Sequence, residues 1–523
     1  MNKPKPGRSM FRAAFVVSFF TLVSRVFGFV RDMVIANYFG AGSIADSFFI
    51  AFRIPNLLRR LTAEGALSAA FIPVFAKTLQ KNRVEAFRLA NNLLAVMTLI
   101  LVLIVTLGIV FTPELLKVIA IGFTDEEEKF RLTVQMTRLL FPYLVFISLA
   151  AVLMGILNTL DHFASPAASP VMLNASIIIC AIYLRESFDL PVFALVAGVL
   201  IGGVLQLAIQ IPYAIKHGFI FSPVFDLRSE LLRKVFMLTI PALFGVAVAE
   251  INMFIDTVLA SLLKEGSVSY LYYGNRLVQF PLGVFGIAMS TALLPALSFQ
   301  AADNNPAKMT ETISRSFRAI MMLVVPSTVG LVVLRDPIVN ILFERGEFDS
   351  VSTLNTGIAV GYYSAGLLGF VGVKIFVSAF YALGDTKTPV KVASVAMVVN
   401  IVFNLLLMGP LQHGGLALAT SIASFVNLVT LIFLLRGRLG EIDGARMFRS
   451  FVLLTLASLL MAAVLYGGWE IFFQRGYTVL GLILSITTAV AVYFAAVWMM
   501  RMEELTDIVN SIRTKLRKIE SKS

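Results

Sequence analysis

Arginine residues lie inside apolar segments that are long enough to cross a lipid bilayer. Arg25 and Arg31 occupy the first such segment, Arg53 and Arg59 the second, and Arg276 one far downstream. A guanidinium keeps its proton at physiological pH, and holding it at membrane depth costs several kcal/mol. Such residues are expected where they face water and bind an anion. The pattern therefore predicts recognition of a ligand with several anionic oxygens, such as a pyrophosphate.

The spacing of these arginines limits how they can converge. Arg25 and Arg31 are six residues apart, so in one helix they point about 120° apart and cannot both be central to one ligand. Arg53 and Arg276 take equivalent places in an internal repeat, which predicts that they face each other across a central cleft. The alternative is that each arginine forms a structural salt bridge, and the acids available for this are Asp32, Asp46, Glu64 and Glu250.

Further charged residues extend the candidate site. Arg60 and Glu64 are four residues apart and can pair, which favours a structural role for Arg60. Arg59 lies on a different face of this helix. It is either a further cavity residue or a residue outside the cavity. Lys374, in the tenth predicted helix, is either a second anion contact or a residue that snorkels to the interface.

Oxygen-bearing side chains in the second half suggest a weaker, separate site. Asn400 and Asn404 share a helix face, and with Asp256 and Thr420 they offer hard oxygen ligands for a monovalent cation such as sodium. Polar contacts between helices explain the same residues and are the favoured reading. No other cofactor is expected.

The composition predicts a polytopic membrane protein. Apolar residues make up 58% of the 523 and charged residues 14%, against about half and one quarter in soluble domains. We predict an all-α fold with 14 transmembrane helices. They cover residues 13–36, 46–76, 89–112, 132–159, 165–184, 190–215, 232–262, 268–299, 310–334, 351–383, 388–409, 414–435, 447–470 and 477–500. Lys and Arg follow the positive-inside rule only if both termini are cytoplasmic, with 27 basic residues on that side and 8 on the other.

An internal repeat organises these helices. The segment at 66–73 recurs at 288–295 (288 − 66 = 222). Arg53 corresponds to Arg276 (276 − 53 = 223), and Pro166 corresponds to Pro389 (389 − 166 = 223). The repeat predicts two pseudo-symmetric lobes of six helices around a central cavity, plus two extra C-terminal helices. The predicted domains are 1–230 (helices 1–6), 231–440 (helices 7–12), 441–502 (the two extra helices) and 503–523 (a cytoplasmic amphipathic tail).

The remaining features narrow the classes of function. The tail either lies on anionic lipid or docks a partner. No nucleotide-binding loop, dinucleotide fingerprint or zinc-protease motif occurs, and Cys180 is the only cysteine, so an enzyme is not expected. The distribution of the net charge of +12 follows membrane topology and argues against a nucleic-acid partner.

Several motifs resemble one known family. The opening block Ser24-Arg25-Val26-Phe27-Gly28-Phe29-Val30-Arg31-Asp32 and the segment from Ala45 to Arg60 are similar to the start of MurJ (MviN-type) proteins. Tyr272-Tyr273-Gly274-Asn275-Arg276-Leu277 and the segment from Phe380 to Pro389 resemble later signatures of the same family, and the likeness covers essentially the whole chain.

This resemblance implies a fold and an activity. Proteins of this family, in the multidrug/oligosaccharidyl-lipid/polysaccharide exporter superfamily, are lipid II flippases of the bacterial inner membrane that serve peptidoglycan synthesis and cell shape. The resemblance implies alternating access, cavity roles for Arg25, Arg31, Arg53 and Arg276, and importance for Arg59, Asp46 and Glu64. Asn275 and Gln279 stand where some relatives carry acids. Cell-wall synthesis proteins and membrane lipids are the partners it suggests.

Alternatives remain open on the sequence. A cation-coupled exporter of drugs or of other polyprenyl-linked oligosaccharides would share the fold, although a multidrug exporter would be expected to carry acids in its cavity. A membrane transferase acting on polyprenyl phosphates would also need cationic residues, together with catalytic acids or a metal site in a loop. A scaffold without transport would leave the buried charges unexplained.

Overall fold

The computed structural model describes residues 6–60, 67–474 and 478–506, and every regular element in these ranges is helical. The helices of the first part are α1 (Pro6–Phe39), α2 (Ser43–Arg59), α3 (Ser68–Lys81), α4 (Arg83–Val110), α5 (Thr112–Ile119), α6 (Glu127–Leu140), α7 (Tyr143–Thr159), α8 (Ala164–Tyr183), α9 (Phe193–Ala208), α10 (Ile211–Lys216) and α11 (Glu230–Ser261).

The second part continues the helical pattern to the end of the described chain. Its helices are α12 (Ser267–Pro281), α13 (Ala288–Ala302), α14 (Pro306–Val333), α15 (Arg335–Phe343), α16 (Ser350–Ala365), α17 (Leu367–Ala382), α18 (Lys387–Leu411), α19 (His413–Leu439), α20 (Gly444–Gln474) and α21 (Thr478–Met499). A π-helical segment, Leu282–Ile287, continues α12 into α13.

Twelve helical segments within the described residues are long and apolar enough to cross a membrane. Two further predicted spans correspond to α11 and to the α2–α3 region, whose intervening residues 61–66 lie outside the described part. The all-α membrane fold is confirmed, and the count of 14 spans is consistent with these helices. The sequence patterns missed α5 and α15, which are only 8 and 9 residues long and lie between predicted spans.

The repeat seen in the sequence recurs in the order and the starting points of the helices. α4 begins at Arg83 and α14 at Pro306 (306 − 83 = 223), and α8 and α18 begin at Ala164 and Lys387 with the same offset. Even the helix caps correspond. The Asn82 side chain accepts hydrogen bonds from the first turn of α4, and Asn305, which stands at the same offset from Asn82, caps α14. Duplicated turn chemistry therefore accompanies the duplicated helices.

The chain packs as two compact units. Unit 1 comprises Met1–Ser269 with the short segment Arg345–Asp349, and unit 2 comprises Tyr270–Glu344 with Ser350–Ser523. α11, the first helix of the predicted second lobe, belongs to unit 1, where it packs on α3, α4 and α5. The predicted boundaries at 230, 440 and 502 follow the repeat rather than this packing and stay a prediction.

Unit 1 is built on a few extensive helix pairs. α1 packs along α8, α8 along α9, and α2 along α6, while α7 contacts α3, α4 and α9. The segment Arg345–Asp349 joins this unit because the Glu347 N–H donates to the Asn37 carbonyl oxygen at 2.9 Å. Gly346, at φ +58°, makes this approach possible, since a Cβ there would lie 2.1 Å from that same oxygen.

Unit 2 includes the two extra C-terminal helices. α20 packs on α14 and on α21, and the buried Tyr493 hydroxyl donates to the Met322 carbonyl oxygen at 2.7 Å. Five residues after the end of α21, Glu504 Oε1 accepts from Arg318 Nη1 at 2.8 Å and from the Ser450 hydroxyl at 2.6 Å. These contacts hold the two extra C-terminal helices, α20 and α21, to the rest of unit 2. Of the predicted tail, residues 507–523 lie outside the described residues.

Candidate functional site

The two arginines of α1 have different surroundings. The Arg25 side chain is exposed, whereas Arg31 is 9% exposed and donates from Nε and Nη2 to Asp32 Oδ1 at 3.0 and 2.6 Å. Arg31 Nη1 donates to Asn174 Oδ1 at 3.1 Å, and Asn174 Nδ2 donates to the Ser24 carbonyl oxygen. In this conformation Arg31 therefore ties α1 to α8. Contact of Arg25 or Arg31 with a ligand stays a prediction.

Two arginines of the α2 segment, which is α2 together with Arg60 directly after it, contact α11. Arg53 Nη2 donates to the Met253 carbonyl oxygen at 2.9 Å, and Arg60 Nη1 forms an ion pair with Glu250 Oε1 at 3.1 Å. Arg53 and Arg60 are seven residues apart, so they lie within about 20° of each other around the helix. Their partners are three residues apart on α11, and the two helices are therefore linked twice along one face.

Arg59 makes a contact within its own helix. Its Nε donates to Asn56 Oδ1 at 2.9 Å, and the side chain is half-buried. Glu64, the acid predicted to contribute to the site and to pair with Arg60, lies outside the described residues. The carboxylate that pairs with Arg60 in the described part of the chain is Glu250, one of the acids considered on the sequence.

Asp46, in the first turn of α2, is surrounded by polar partners. Its Oδ1 accepts from the N–H and the hydroxyl of Ser269 at 2.9 and 2.7 Å, and its Oδ2 accepts from the Gly266 N–H at 2.8 Å. The Lys129 ammonium lies 3.6 Å from Oδ2 and 4.1 Å from the centre of the Phe123 ring. Asp46 and Lys129 are 1% and 5% exposed. Asp46 thus ties α2 to α6 and to the segment from Gly266 to Ser269, where α12 begins, and its predicted contact with substrate stays a prediction.

The two predicted site residues of unit 2 lie on α12 and α17. Arg276 is half-buried, one residue after Asn275, whose side-chain oxygen accepts from the Gln279 amide one turn on. Lys374 is also half-buried, and its carbonyl oxygen accepts from the Ser378 hydroxyl at 2.9 Å. Both side chains are partly open to their surroundings, and their predicted contact with an anion stays a prediction.

The candidate cation ligands of α18 and α19 form a connected amide cluster. Asn404 Nδ2 donates to Asn400 Oδ1 at 3.0 Å, and Asn400 Nδ2 donates to Thr420 Oγ1 at 3.3 Å. Asn400 and Asn404 are buried, and Asp256 is half-buried on α11. Among the described residues, no group of three or more His, Cys, Asp or Glu side chains could hold a metal ion. Amide and hydroxyl oxygens suit a monovalent cation better than a transition metal, and this ion stays a prediction.

The loops before α8 and α18 carry corresponding helix caps of different chemistry. Asp385 Oδ1 accepts from the Thr388 N–H at 2.9 Å, and Oδ2 accepts from its hydroxyl at 2.6 Å. At the equivalent place in the first copy of the repeat, His162 Nε2 accepts from the Ser165 N–H at 3.4 Å and lies 3.0 Å from its hydroxyl. A ring nitrogen that accepts from a backbone N–H carries no proton, so this cap requires neutral imidazole.

Electrostatics support both caps. Hydrogen bonds from the Thr388 side chain and backbone, with a contribution from Arg438, lower the pKa of Asp385 to about 2. Burial, followed by the nearby His217 and Lys216, lowers the pKa of His162 below its ordinary value. The aspartate cap is therefore kept ionised and the histidine cap is kept neutral.

The structure adds residues that sequence reasoning had not assigned to the site. Lys129 is one of the 8 basic residues that the sequence places on the side opposite the termini, yet it is buried with its ammonium 3.6 Å from Asp46 Oδ2. Asn174 carries no charge and so was not considered as a partner of Arg31. Arg60 was expected to pair with Glu64, four residues on in the sequence. A helical signal was available for Arg60, because it lies seven residues from Arg53 on the same face. No sequence signal identified Asn174 or Lys129, since their partners lie on helices that are distant in the chain.

Comparison with known proteins gives a consistent family match. The family model described as "Lipid II flippase MurJ" matches residues 35–489. A curated relative from Vibrio cholerae serotype O1, described as "Probable lipid II flippase MurJ", is 40% identical over 436 residues, which cover 81% of this chain and 82% of the relative.

Solved structures agree with this match. The structure described as "Lipid II flippase MurJ, inward closed conformation" aligns with a TM-score of 0.78 and 27% identity, covering 93% of this chain and 98% of that one. An inward-facing multidrug resistance MATE family transporter of the MOP superfamily aligns with a TM-score of 0.64 and 14% identity, over 82% of this chain and 99% of that one. The second likeness concerns the fold alone.

Proposed function

Because this chain belongs to the lipid II flippase MurJ family, we propose that it moves lipid II from the cytoplasmic to the periplasmic leaflet by alternating access. The family resemblance read from the sequence is confirmed, and so is the prediction of a transporter rather than an enzyme. Lipid II carries a disaccharide-pentapeptide on an undecaprenyl pyrophosphate, so the carrier must bind a diphosphate and accommodate a polar head group while the polyprenyl chain stays in lipid. The flipped precursor supplies peptidoglycan synthesis.

The observation that carries the substrate assignment is the family match together with arginines inside membrane-length helices. Arg25 is exposed, Arg276 is half-buried, and Arg53 and Arg60 lie on one face of the α2 segment. Guanidinium groups present several donors in a planar fork and bind phosphate oxygens strongly. We assign Arg25, Arg31, Arg53, Arg59 and Arg276 to recognition of the diphosphate, with Lys374 as an additional cationic contact and Asp46 and Glu64 as supporting acids.

The energy source is a separate proposal. The oxygens of Asn400, Asn404, Thr420 and Asp256 are the candidate ligands of a sodium ion that would couple its gradient to transport. Replacing sodium by choline in the transport assay is expected to slow flipping, and Asn404→Leu is expected to remove that sodium dependence. Equal rates in sodium and choline would refute this coupling.

The setting of the protein follows from the same proposal. The chain is a multi-span membrane protein. We place it in the bacterial inner membrane with both termini in the cytoplasm, because the Lys and Arg distribution has that polarity. Membrane lipids surround it, and the enzymes that make and use lipid II are its expected partners.

Flipping of lipid II by purified protein in proteoliposomes tests the proposal. The wild type should expose fluorescent lipid II to an enzyme on the opposite side, and Arg276→Ala and Arg25→Ala should remove this transfer while leaving insertion intact. Arg228→Ala, an exposed arginine before α11, is the matched control. Transfer at the wild-type rate by Arg276→Ala would contradict its assignment.

A second candidate is favoured by one observation, the fold shared with a MATE transporter. A cation-coupled exporter of drugs or of other polyprenyl-linked oligosaccharides would use the same helices. Such an exporter would move cationic dyes or another lipid-linked glycan in the same vesicles without moving lipid II. That outcome would replace the first proposal by the second.

A further inference from the structure

Glu250 is a carboxylate placed far from either end of a long helix. It lies 20 residues after Glu230, the first residue of α11, which corresponds to about 30 Å along the helix axis. Its side chain is 10% exposed. A buried carboxylate at such a depth is costly unless a cation compensates it. The Arg60 guanidinium, with Nη1 at 3.1 Å from Glu250 Oε1, supplies that cation.

The pair is asymmetric, because Arg60 remains much more open than Glu250. The Arg60 side chain is 44% exposed, and Glu250 Oε1 engages one of its five N–H donors. Arg60 also lies on the face of the α2 segment that carries Arg53. A second anionic oxygen can therefore approach Arg60 from the open side, next to an arginine already assigned to the diphosphate.

A carboxylate oxygen and a phosphate oxygen compete for the same guanidinium. We propose that Glu250 is an internal counter-anion that occupies Arg60 until the diphosphate of the substrate displaces it. This inference rests on the proposed function and names a specificity residue within it. A monoanion has little advantage over the tethered carboxylate, whereas a diphosphate contacts Arg60 and Arg53 together. Displacement also removes the link from Arg60 to α11, so ligand binding changes how α2 and α11 are held together.

The experiment measures binding of inorganic pyrophosphate to the full-length protein in detergent by calorimetry. Glu250→Gln removes the competing charge with little change in shape. Glu230→Gln removes an exposed carboxylate from the first turn of the same helix and is the matched control. Arg60→Gln and the double variant Arg60→Gln/Glu250→Gln complete a cycle that isolates the pair.

We expect Glu250→Gln to bind pyrophosphate about threefold or more tightly than the wild type, because apparent affinity scales with the fraction of protein whose site is available. Glu230→Gln should match the wild type, and the gain should vanish when Arg60 is glutamine. Unchanged affinity in folded Glu250→Gln, an equal gain in Glu230→Gln, or no pyrophosphate binding by either wild type or Glu250→Gln would overturn the inference.

A second measurement uses the unaltered sequence and does not depend on a variant that folds. Pyrophosphate should increase carbodiimide modification of Glu250, mapped by mass spectrometry, relative to Glu230. Constant modification of Glu250 at saturating pyrophosphate would contradict displacement. A chain that flips lipid II without these responses would refute the counter-anion alone, and one that shows them without moving lipid II would refute the proposed function alone.

Discussion

Replacing Lys129 by methionine should destabilise unit 1 through Asp46. Methionine keeps most of the apolar stem but removes the ammonium 3.6 Å from Asp46 Oδ2. Breaking a buried ion pair from one side costs about 3–5 kcal/mol. Three hydrogen bonds from Gly266 and Ser269 still reach the carboxylate, and Lys129 lies unfavourably in the first turn of α6, where its loss returns about 0.3–1 kcal/mol. Subtracting this return leaves about 2–5 kcal/mol, and the three remaining hydrogen bonds should hold the net cost in the lower part of that range, at about 2–3 kcal/mol.

Thermal unfolding of the purified protein in detergent measures this cost. If unit 1 unfolds cooperatively, the melting temperature should fall by about 4–8 °C. Lys117→Met, an exposed lysine of α5, is the control and should melt with the wild type. Adding Asp46→Asn to Lys129→Met should cost less than the two single changes together, because no unpaired charge remains. A wild-type melting temperature for Lys129→Met, or additive effects in the double variant, would refute the buried pair.

Three further predictions concern caps and close packing. Because the folded pKa of His162 is lowered, the cap should stabilise α8 fully above about pH 6.5 and lose this contribution as the pH falls through the folded pKa. His162→Asp should therefore make the melting temperature less dependent on pH in this range. The folded pKa of Asp385 is also lowered, to about 2. The destabilisation caused by Asp385→Ala should therefore be full above about pH 4 and shrink as the pH falls toward 2 in the same scan. Gly122→Ala would place a Cβ 2.0 Å from the Ser261 carbonyl oxygen and should cost about 1–3 kcal/mol in thermal unfolding, whereas Gly437→Ala, with nothing within 4 Å, should not destabilise. A pH profile unchanged by His162→Asp, an Asp385→Ala effect that persists at low pH, or equal melting of the two glycine variants would each contradict its prediction.

Much of the fold could be predicted from the chain because its signals are local. Membrane-length apolar runs predicted spans such as 388–409 and 414–435, which the structure places at Lys387–Leu411 and His413–Leu439. Breaks inside spans were less visible. The predicted helix 132–159 is divided after Leu140, near Pro142, and the predicted helix 190–215 is divided into α9 and α10. Short interruptions hardly change the average hydropathy of a long window, so hydropathy did not reveal them. Pro142 by itself predicts a bend inside 132–159, and the structure divides the helix there.

The candidate site was predictable in its residue types but not in its pairings. Arg31 pairs with its neighbour Asp32, as one alternative allowed, and it also binds Asn174, which no charge pattern indicated. Arg60 pairs with Glu250, which is distant in the chain, although a local partner was expected. The repeat predicted that the loops before Pro166 and Pro389 correspond, but the different protonation chemistry of the two caps became visible only with side chains in place.

The sequence alone determined the membrane class, the duplicated helix order, the family and the presence of arginines at membrane depth, because hydropathy, short motifs and a constant offset are properties of the chain read in order. Only the tertiary structure decided which acid neutralises which cation, as in the pairs Lys129–Asp46 and Arg60–Glu250. Charge pairing depends on close approach between side chains on separate helices. Those distances are set by which helix faces pack together, and local sequence carries no direct record of that packing.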